Sequence, residues 1–514
     1  MPLRVSNTLT REKHEFQPVL PGKVGMYVCG PTVYKPSHVG HLVGPVIFDT
    51  IKRYLTYLGY EVTFVVNITD IDDKIIKEAA ASKREWKELA ESVTRDYLAN
   101  LQKLGVTSID HFPRATEYIG EIQRIIQGLI DKGHAYAVGG DVYFDVTKDA
   151  DYGKLCHHDP EQLEAGSRVE VSEKKRNPGD FALWKGAKPG EPTWDSPWGP
   201  GRPGWHIECS AMSMKLLGQT LDIHGGGLDL QFPHHENELA QSESFTGLTF
   251  ARYWLHNGLM KIRTQKSKIK ADAAGAAAAG DQGTLEKMSK SLGNEIVVSE
   301  VLKYHSPETL RLLLLSTHYR SPIEYGEDRL GEIKRSLEGF HRFFERFQRI
   351  THKSFYDLQA PKQRPKFAPG QPGSEFLVEV VRHWEAFLEH MDDDFNTGGA
   401  VGVLFELLTA LNRFADSRKL ESGTPSPADL QALERGAVVL KELSQILGLF
   451  EKPQATKDAG SDELTGGLMK LLIDLRAEAR KTKNFALADQ IRKRLGELGV
   501  TLEDRAGETS WRVG

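Results

Sequence analysis

The chain has little cysteine, no long apolar run and no surplus of positive charge, and each lack narrows what it can be. Three cysteines, Cys29, Cys156 and Cys209, cannot build a disulfide framework in 514 residues. Each is left as a metal ligand, a nucleophile or a small buried hydrophobe. No stretch of about 18 apolar residues occurs, so no membrane-spanning helix is expected. The start, Met1-Pro2-Leu3-Arg4-Val5-Ser6-Asn7, lacks the apolar core of a secretion signal, and a cytoplasmic protein is the expectation. With 66 Lys and Arg against 71 Asp and Glu the net charge is −5, so any nucleic-acid site has to be a local patch. One such patch runs from Lys470 to Arg494. There Lys470, Arg476, Arg480, Lys481, Lys483, Arg492, Lys493 and Arg494 outnumber Asp474, Glu478 and Asp489. Taken alone, it reads as a solvated helix face.

The length implies several domains. Val24–Cys29 is a short apolar strand bounded by Gly30-Pro31. Ser37 is the expected N-cap of a helix from His38 to Leu58, where Leu42, Val46, Ile47, Ile51, Leu55 and Leu58 recur at helical spacing. Gly59 is its natural stop, and Glu61–Val66 is a second strand. Strand, helix and strand of this length form a parallel pair, so the fold class is α/β with a Rossmann-like sheet. Leu221–His224 and Tyr253–His256 are further strands. Residues 109–198 read as an insertion, and from Ser306-Pro307 onward the pattern is helical to the end. Alanine-rich sequence within about 263–286 predicts a mobile loop, and 361–373 and 452–462 predict linkers. The expected division is a catalytic domain over 1–305, a helical junction over 306–360, a helical bundle over 374–451 and a small module over 463–514.

Two motifs carry phosphate chemistry. His38-Val39-Gly40-His41 opens the first helix directly after the first strand, where free N–H groups and the helix dipole favour an anion. Gly40 permits close approach, and His38 and His41, three apart, face one side and can donate to developing charge. Far downstream, Lys287-Met288-Ser289-Lys290-Ser291 offers two lysines that can clamp a triphosphate. Together these motifs resemble those of the class I aminoacyl-tRNA synthetases. That resemblance implies attack of an amino-acid carboxylate on the α-phosphate of ATP, with Mg2+ accompanying the nucleotide. ATP contacts would then fall at Gly30, Thr32, His38, Gly40, His41 and Lys290, with His38, His41, Lys287 and Lys290 as the catalytic set.

Metal-ligand chemistry is also present. Cys29 sits at the end of the first strand, at the sheet edge where open α/β folds bind ligands. Cys209 and the run Pro233-His234-His235-Glu236-Asn237-Glu238 supply three more donors, a thiolate, an imidazole and a carboxylate. Pro233 suits the first turn of a helix, which would place His234 and Glu238 on one face. His235 with Glu238 is the competing pair, and spacing does not separate them. Cys156-His157-His158 reads as chance within the insertion.

Trp205–Met212, His224–Leu230, Phe232–Glu238 and Asn67–Lys74 resemble the cysteinyl-tRNA synthetase family, and the similarity runs from about residue 20 to the C-terminus. The resemblance implies one zinc ion per chain on Cys29, Cys209, His234 and Glu238. It also implies an amino-acid pocket at Thr69, Trp205, His224 and Asp229, and a monomer. Met391–Thr397 and Asn484–Arg492 resemble the parts that contact the anticodon, which implies tRNA(Cys) as partner and gives the basic patch a use. Zinc prefers a thiolate to a hydroxyl, so cysteine could be selected over serine without an editing domain. A related ligase that joins cysteine to an amino-sugar shares the catalytic half but resembles this chain less past about Pro322. A non-catalytic tRNA-binding paralogue would be expected to lack the phosphate motifs. Lys74-Ile75-Ile76-Lys77 resembles a motif linked in the family to pyridoxal-phosphate-dependent persulfide formation, and the preferred reading of it is an exposed helix face.

Overall fold

The computed structural model describes residues 2–157, 173–264, 284–287, 295–365, 375–453, 459–505 and 508–513. Lys290, with residues 288–294, and residues 265–283 of the alanine-rich loop lie outside them. The described chain divides into two compact units, Met1–Glu451 and Lys452–Gly514.

At the centre of the first unit is a four-stranded parallel sheet. Its strands lie in the order Ala251–Asn257, Leu221–Gly227, Lys23–Val28, Glu61–Val66. Lys23–Val28 and Glu61–Val66 read as near-continuous apolar runs because the sheet is covered on both faces. The helix Gly40–Tyr57 crosses between them and buries Leu42, Val43, Val46, Ile47, Phe48, Ile51, Tyr54 and Leu55. Each such side chain removed from water contributes about 1.5–3 kcal/mol. A Cβ at Gly225 would lie 2.1 Å from the Phe48 ring, so glycine there is what lets this helix settle on the sheet.

The helix begins two residues later than the sequence suggests. Val39 occupies the cap position without a side-chain bond. Ser37 is not the cap: its backbone N–H donates to Asp96 (2.9 Å) and its carbonyl accepts from Val298 N–H (3.0 Å). A long-range backbone tie has replaced local capping. Gly59 does end the helix, at φ +97°.

Between the second and third sheet strands, the helix Ile119–Asp131 precedes a four-stranded antiparallel sheet of Ala135–Val138, Asp141–Phe144, Phe181–Gly186 and Gly201–Pro203. After Ser306, which caps the helix Pro307–Leu315 through Thr309 N–H, the chain is not uniformly helical. Ile323–Tyr325 pairs in parallel with Met260–Thr264, and the second unit ends in a hairpin of Val500–Arg505 with Glu508–Val513. Between these lie the long helix Glu327–Thr351 and a bundle of Glu375–Asp392, Thr397–Ser417 and Pro427–Ile446. No described helix is long and apolar enough to cross a membrane.

The second unit packs two helices, Ala459–Lys481 and Phe485–Glu497, with its hairpin. Arg476 of the basic patch is buried and binds Asp504 through two bonds of 2.7 Å, with Arg480 3.4 Å from the same carboxylate. The Arg476 hydrogen bonds hold Asp504 below the usual carboxylate range. Arg476 therefore holds this unit together, and the solvent-facing charge of the patch falls to its other cations.

Candidate metal centre and phosphate site

Three segments of the candidate site lie at the carboxyl ends of sheet strands: Cys29-Gly30, Asn67–Thr69 and Gly225–Gly227. Cys29 follows its strand directly and donates its N–H to Gly225 O (3.1 Å). Cys209 projects from the helix Trp205–Leu217. His234 lies in a short irregular turn, Gln231–His235, and Glu238 in the following helix Glu236–Thr246. Pro233 stands in that turn after a cis peptide bond, not in the first turn of the regular helix, because Phe232 breaks helical geometry.

These four side chains converge. Cys29 Sγ is 3.8 Å from Cys209 Sγ and 3.3 Å from Glu238 Oε1, and Cys209 Sγ is 3.6 Å from His234 Nε2. His234 Nε2 lies 2.9 Å from Glu238 Oε1. A tetrahedron with zinc-like bonds of about 2.0–2.3 Å has edges of roughly 3.3–3.8 Å. Three of these separations already fall there; the fourth is an ion pair drawn closer. The donors are chemically suited, two sulfurs with one imidazole and one carboxylate, and all four residues are buried or nearly so. A second group, Cys29, His224, His235 and Glu238, is also compact. It shares two members with the first but contains one thiol. His235 turns instead to His256, with Nδ1 2.8 Å from His256 Nε2.

Charge within the cluster is uneven. Burial works against the Cys209 thiolate, but hydrogen bonds from Cys29 and His234 outweigh it and bring the thiol down to about 6. Burial pushes Cys29 up. On His234 burial is overcome by Glu238, and the imidazole rises to about 10. Burial is likewise overcome on Glu238, by His224 and then His234, and its carboxyl stays well below the usual range.

Of the residues that support these four, His224 alone is singled out in the sequence. His206 Nδ1 lies 3.0 Å from His234 Nδ1, the ring edge away from the sulfurs. His224 Nε2 is 2.8 Å from Glu238 Oε2, and its ring stacks on Trp254 at 4.5 Å. His256 Nδ1 continues the chain to Thr8 Oγ1 (2.9 Å). Glu236 accepts from the N–H groups of Gly153 (3.0 Å) and Cys156 (2.7 Å), which pins the inserted segment to this helix. Cys156 itself is buried away from the cluster, with Sγ 3.5 Å from Gly153 O. His206 and Glu236 sit inside the quoted motifs, but nothing in the spacing of His256 or Trp254 marks them.

Around the cluster lie the other expected residues. The Trp205 ring stacks on His234 at 4.3 Å, with Lys74 Nζ 5.5 Å from its centroid. Lys74 and Lys77 are both exposed. Thr69 is buried, accepts from Asn67 Nδ2 (3.2 Å) and pairs with Thr32 in an isolated parallel bridge. Asp229 is exposed on the turn Leu228–Leu230, its carboxylate 2.6 Å from where a Gly227 Cβ would be. A Cβ at Gly30 would lie 1.8 Å from Asn67 O, so only glycine fits between the two strand ends.

His38 and His41 stack at 3.6 Å at the start of the Gly40–Tyr57 helix, and His38 Nε2 is 3.5 Å from Glu295 Oε1. The chain just after the lysine motif is tied to them: Val39 N–H donates to Ile296 O (2.9 Å), and His38 pairs with Val297. On the other flank the backbone of Lys287 pairs with Lys261. The downstream end of the lysine segment is therefore anchored beside the histidine motif.

The family described as the tRNA synthetases class I (C) catalytic domain matches residues 15–271 and 283–335. A DALR domain matches 386–451, and the cysteinyl-tRNA ligase anticodon binding domain matches 462–512. Over 519 aligned residues the chain is 44% identical to the cysteine–tRNA ligase of Syntrophobacter fumaroxidans, covering 100% of each. The chain belongs to the cysteine–tRNA ligase family. A member from Thermococcus onnurineus is 45% identical over 513 residues, covering 100% of this chain and 99% of that one. The wider class shares the fold: Mycobacterium tuberculosis methionyl-tRNA synthetase in complex with methionyl-adenylate aligns with a TM-score of 0.58. That likeness covers 83% of this chain and 90% of the other at 16% identity, and shows fold alone. The compact thiol, imidazole and carboxylate cluster and the stacked histidines both lie within the residues that the catalytic-domain family matches.

Proposed function

We propose that the chain activates L-cysteine with ATP, releasing pyrophosphate, and then transfers cysteine to the 3′-terminal adenosine of tRNA(Cys). The observation that carries this reading is the convergence of Cys29, Cys209, His234 and Glu238 within a few ångströms of the stacked Trp205. These four would hold one zinc ion, which binds a substrate thiolate far better than a hydroxyl and so favours cysteine over serine. His224 and His206 orient Glu238 and His234 from behind, and Trp205 walls the pocket. Thr69, His224 and Asp229 surround the amino acid at the sheet edge.

His38 and His41 meet the phosphates of ATP, which arrives with Mg2+, at a helix N-terminus where donors are already aimed. Gly30, Thr32 and Gly40 let the nucleotide lie against the backbone. Lys287 and Lys290 neutralise the departing pyrophosphate. Residues 1–305 carry this chemistry, 306–360 join it to the rest, and 374–451 with 463–514 face the tRNA, where exposed cations such as Lys481, Lys483 and Lys493 suit phosphate contact. Lys290→Ala is expected to slow adenylate formation by about a hundredfold, the cost of one lost transition-state donor. The cysteine concentration at half-saturation should stay nearly unchanged, as measured by pyrophosphate exchange. Equal loss of rate and cysteine affinity would mean that the segment supports the fold rather than the phosphates.

A further inference from the structure

Where the last turns of the Gly40–Tyr57 helix meet the bundle, a cavity of about 460 Å³ opens, away from the metal centre and the histidine motif. Its volume is that of a small-molecule site. Six charged side chains line it: Lys52, Arg53, Asp110, Lys362, Glu442 and Glu451. Four of them already answer one another. Lys52 Nζ donates to Asp110 Oδ2 (2.6 Å) and to Ser108 O (2.6 Å). Arg53 donates to Glu451 Oε1 (2.5 Å), to Asp49 Oδ2 (2.8 Å) and to Gly105 O (2.9 Å).

Glu442 and Lys362 are left over. Glu442 is 1% exposed, and one of its oxygens is engaged: Oε1 accepts from Tyr57 Oη (2.5 Å) and from Trp384 Nε1 (3.1 Å). Its other oxygen, Oε2, is buried and has no hydrogen-bond partner among the described residues. Burial pushes this carboxyl up, against the two bonds that lower it. A buried carboxylate oxygen without a donor is costly, and of all donors an ammonium group placed against it regains the most. Lys362 is exposed and forms no ion pair among the described residues. The chain beside it holds it at the cavity: Arg364 N–H donates to Tyr57 O (2.7 Å), and the Arg364 guanidinium reaches Asp392 Oδ2 (3.3 Å). An acid group is the partner that the Lys362 ammonium lacks.

We infer that this cavity binds a small zwitterionic amine, the class that includes free amino acids, with its ammonium on Glu442 and its acid group toward Lys362. A compound with only one of the two charges satisfies one of these residues and leaves the other. The inference is independent of the aminoacylation proposed above, since no lining residue belongs to the metal centre or the phosphate site.

The test titrates the full-length protein calorimetrically with glycine, γ-aminobutyrate and ε-aminocaproate, three zwitterions of increasing length. Butylamine and butanoate, which each carry one of the two charges, are titrated alongside at the same ionic strength. At least one zwitterion should saturate below about 10 mM and bind at least about tenfold tighter than either single-charge compound. Glu442→Gln keeps an acceptor oxygen for Tyr57 and Trp384 and should weaken that zwitterion at least about tenfold. Lys362→Met alters an exposed side chain that the fold does not use, and should weaken it about three- to fivefold. Failure of all three zwitterions to saturate would overturn the inference. So would equal binding of butylamine or butanoate, or an affinity unchanged in either variant, which would place the zwitterion elsewhere on the protein.

Discussion

Replacing Cys209 by serine should empty the metal centre and abolish cysteine activation together. Cys209 is buried and lies 3.8 Å from Cys29 and 3.6 Å from His234, so it shares contacts with two of the other three donors. It is also the thiol that the cluster already favours as thiolate, at about 6. A serine hydroxyl there is not ionised near neutrality and is a poor ligand for zinc. Loss of even a supporting group commonly costs 10–100-fold in metal affinity, so loss of a ligand should cost about a hundredfold or more. Zinc content by atomic emission should drop from near one per chain toward zero, and cysteine-dependent exchange should fall with it. Full zinc content in Cys209→Ser would contradict the ligand assignment.

Arg311→Leu should cost substantial stability although it lies outside the site. Arg311 is 1% exposed and donates to Leu447 O, to Leu104 O (2.9 Å) and to Asp49, which is wholly buried. Leucine removes the charge and strands two carbonyls as well as part of the carboxylate's solvation. Breaking a buried pair from one side typically costs about 3–5 kcal/mol. Arg53 and Ser108 still reach Asp49, which places the expectation at the lower end, about 3 kcal/mol. The pH dependence follows from the sign of the Asp49 shift. Burial pushes its carboxyl up, but Arg311 and Arg53 outweigh that and hold it below the usual value. A depressed carboxylate contributes stability that is present above the ordinary pKa of about 4 and lost as pH falls through the folded value. The gap between wild type and variant should thus be widest near neutrality and narrow below about pH 4, as read by urea unfolding at several pH values. A gap that stays constant with pH would mean that Asp49 is not what Arg311 stabilises.

Much of the catalytic core was legible because it is local. Val24–Cys29 and Glu61–Val66 are short apolar runs, the segment between them has helical period, and Gly59 marks its end; both strands and the stop sit within a residue of where the sequence places them, and the helix starts two residues later. The features that were misread are decided by distant chain. Ser37 has the chemistry of a cap, yet its backbone is taken by Asp96 and Val298. Pro233 has the chemistry of a helix start, yet Phe232 breaks the turn before it. The strand Ile323–Tyr325 exists because Met260–Thr264 offers it a partner, which no local pattern announces. The basic patch was counted correctly, but counting could not show that Arg476 is folded onto Asp504.

The site was legible in a similar way. Cys29, Cys209, His234 and Glu238 are separated by up to 209 residues, and only the resemblance to a family joined them in the sequence. Spacing left His234 and His235 level. In the fold, His234 reaches Cys209 while His235 turns to His256, a distinction set by the irregular turn before the Glu236–Thr246 helix. Arg53, Tyr54 and Tyr57 bind Glu451, Asp392 and Glu442, partners 338 to 398 residues away that no local pattern announces.

Cysteine-dependent ATP–pyrophosphate exchange by the purified, zinc-loaded protein, without tRNA and with serine as control, tests the central claim most directly. Exchange with cysteine and at least about a hundredfold less with serine is the expected result for a thiol-selecting centre beside an ATP phosphate site. Equal exchange with both amino acids, or none with cysteine while zinc remains bound, would contradict it.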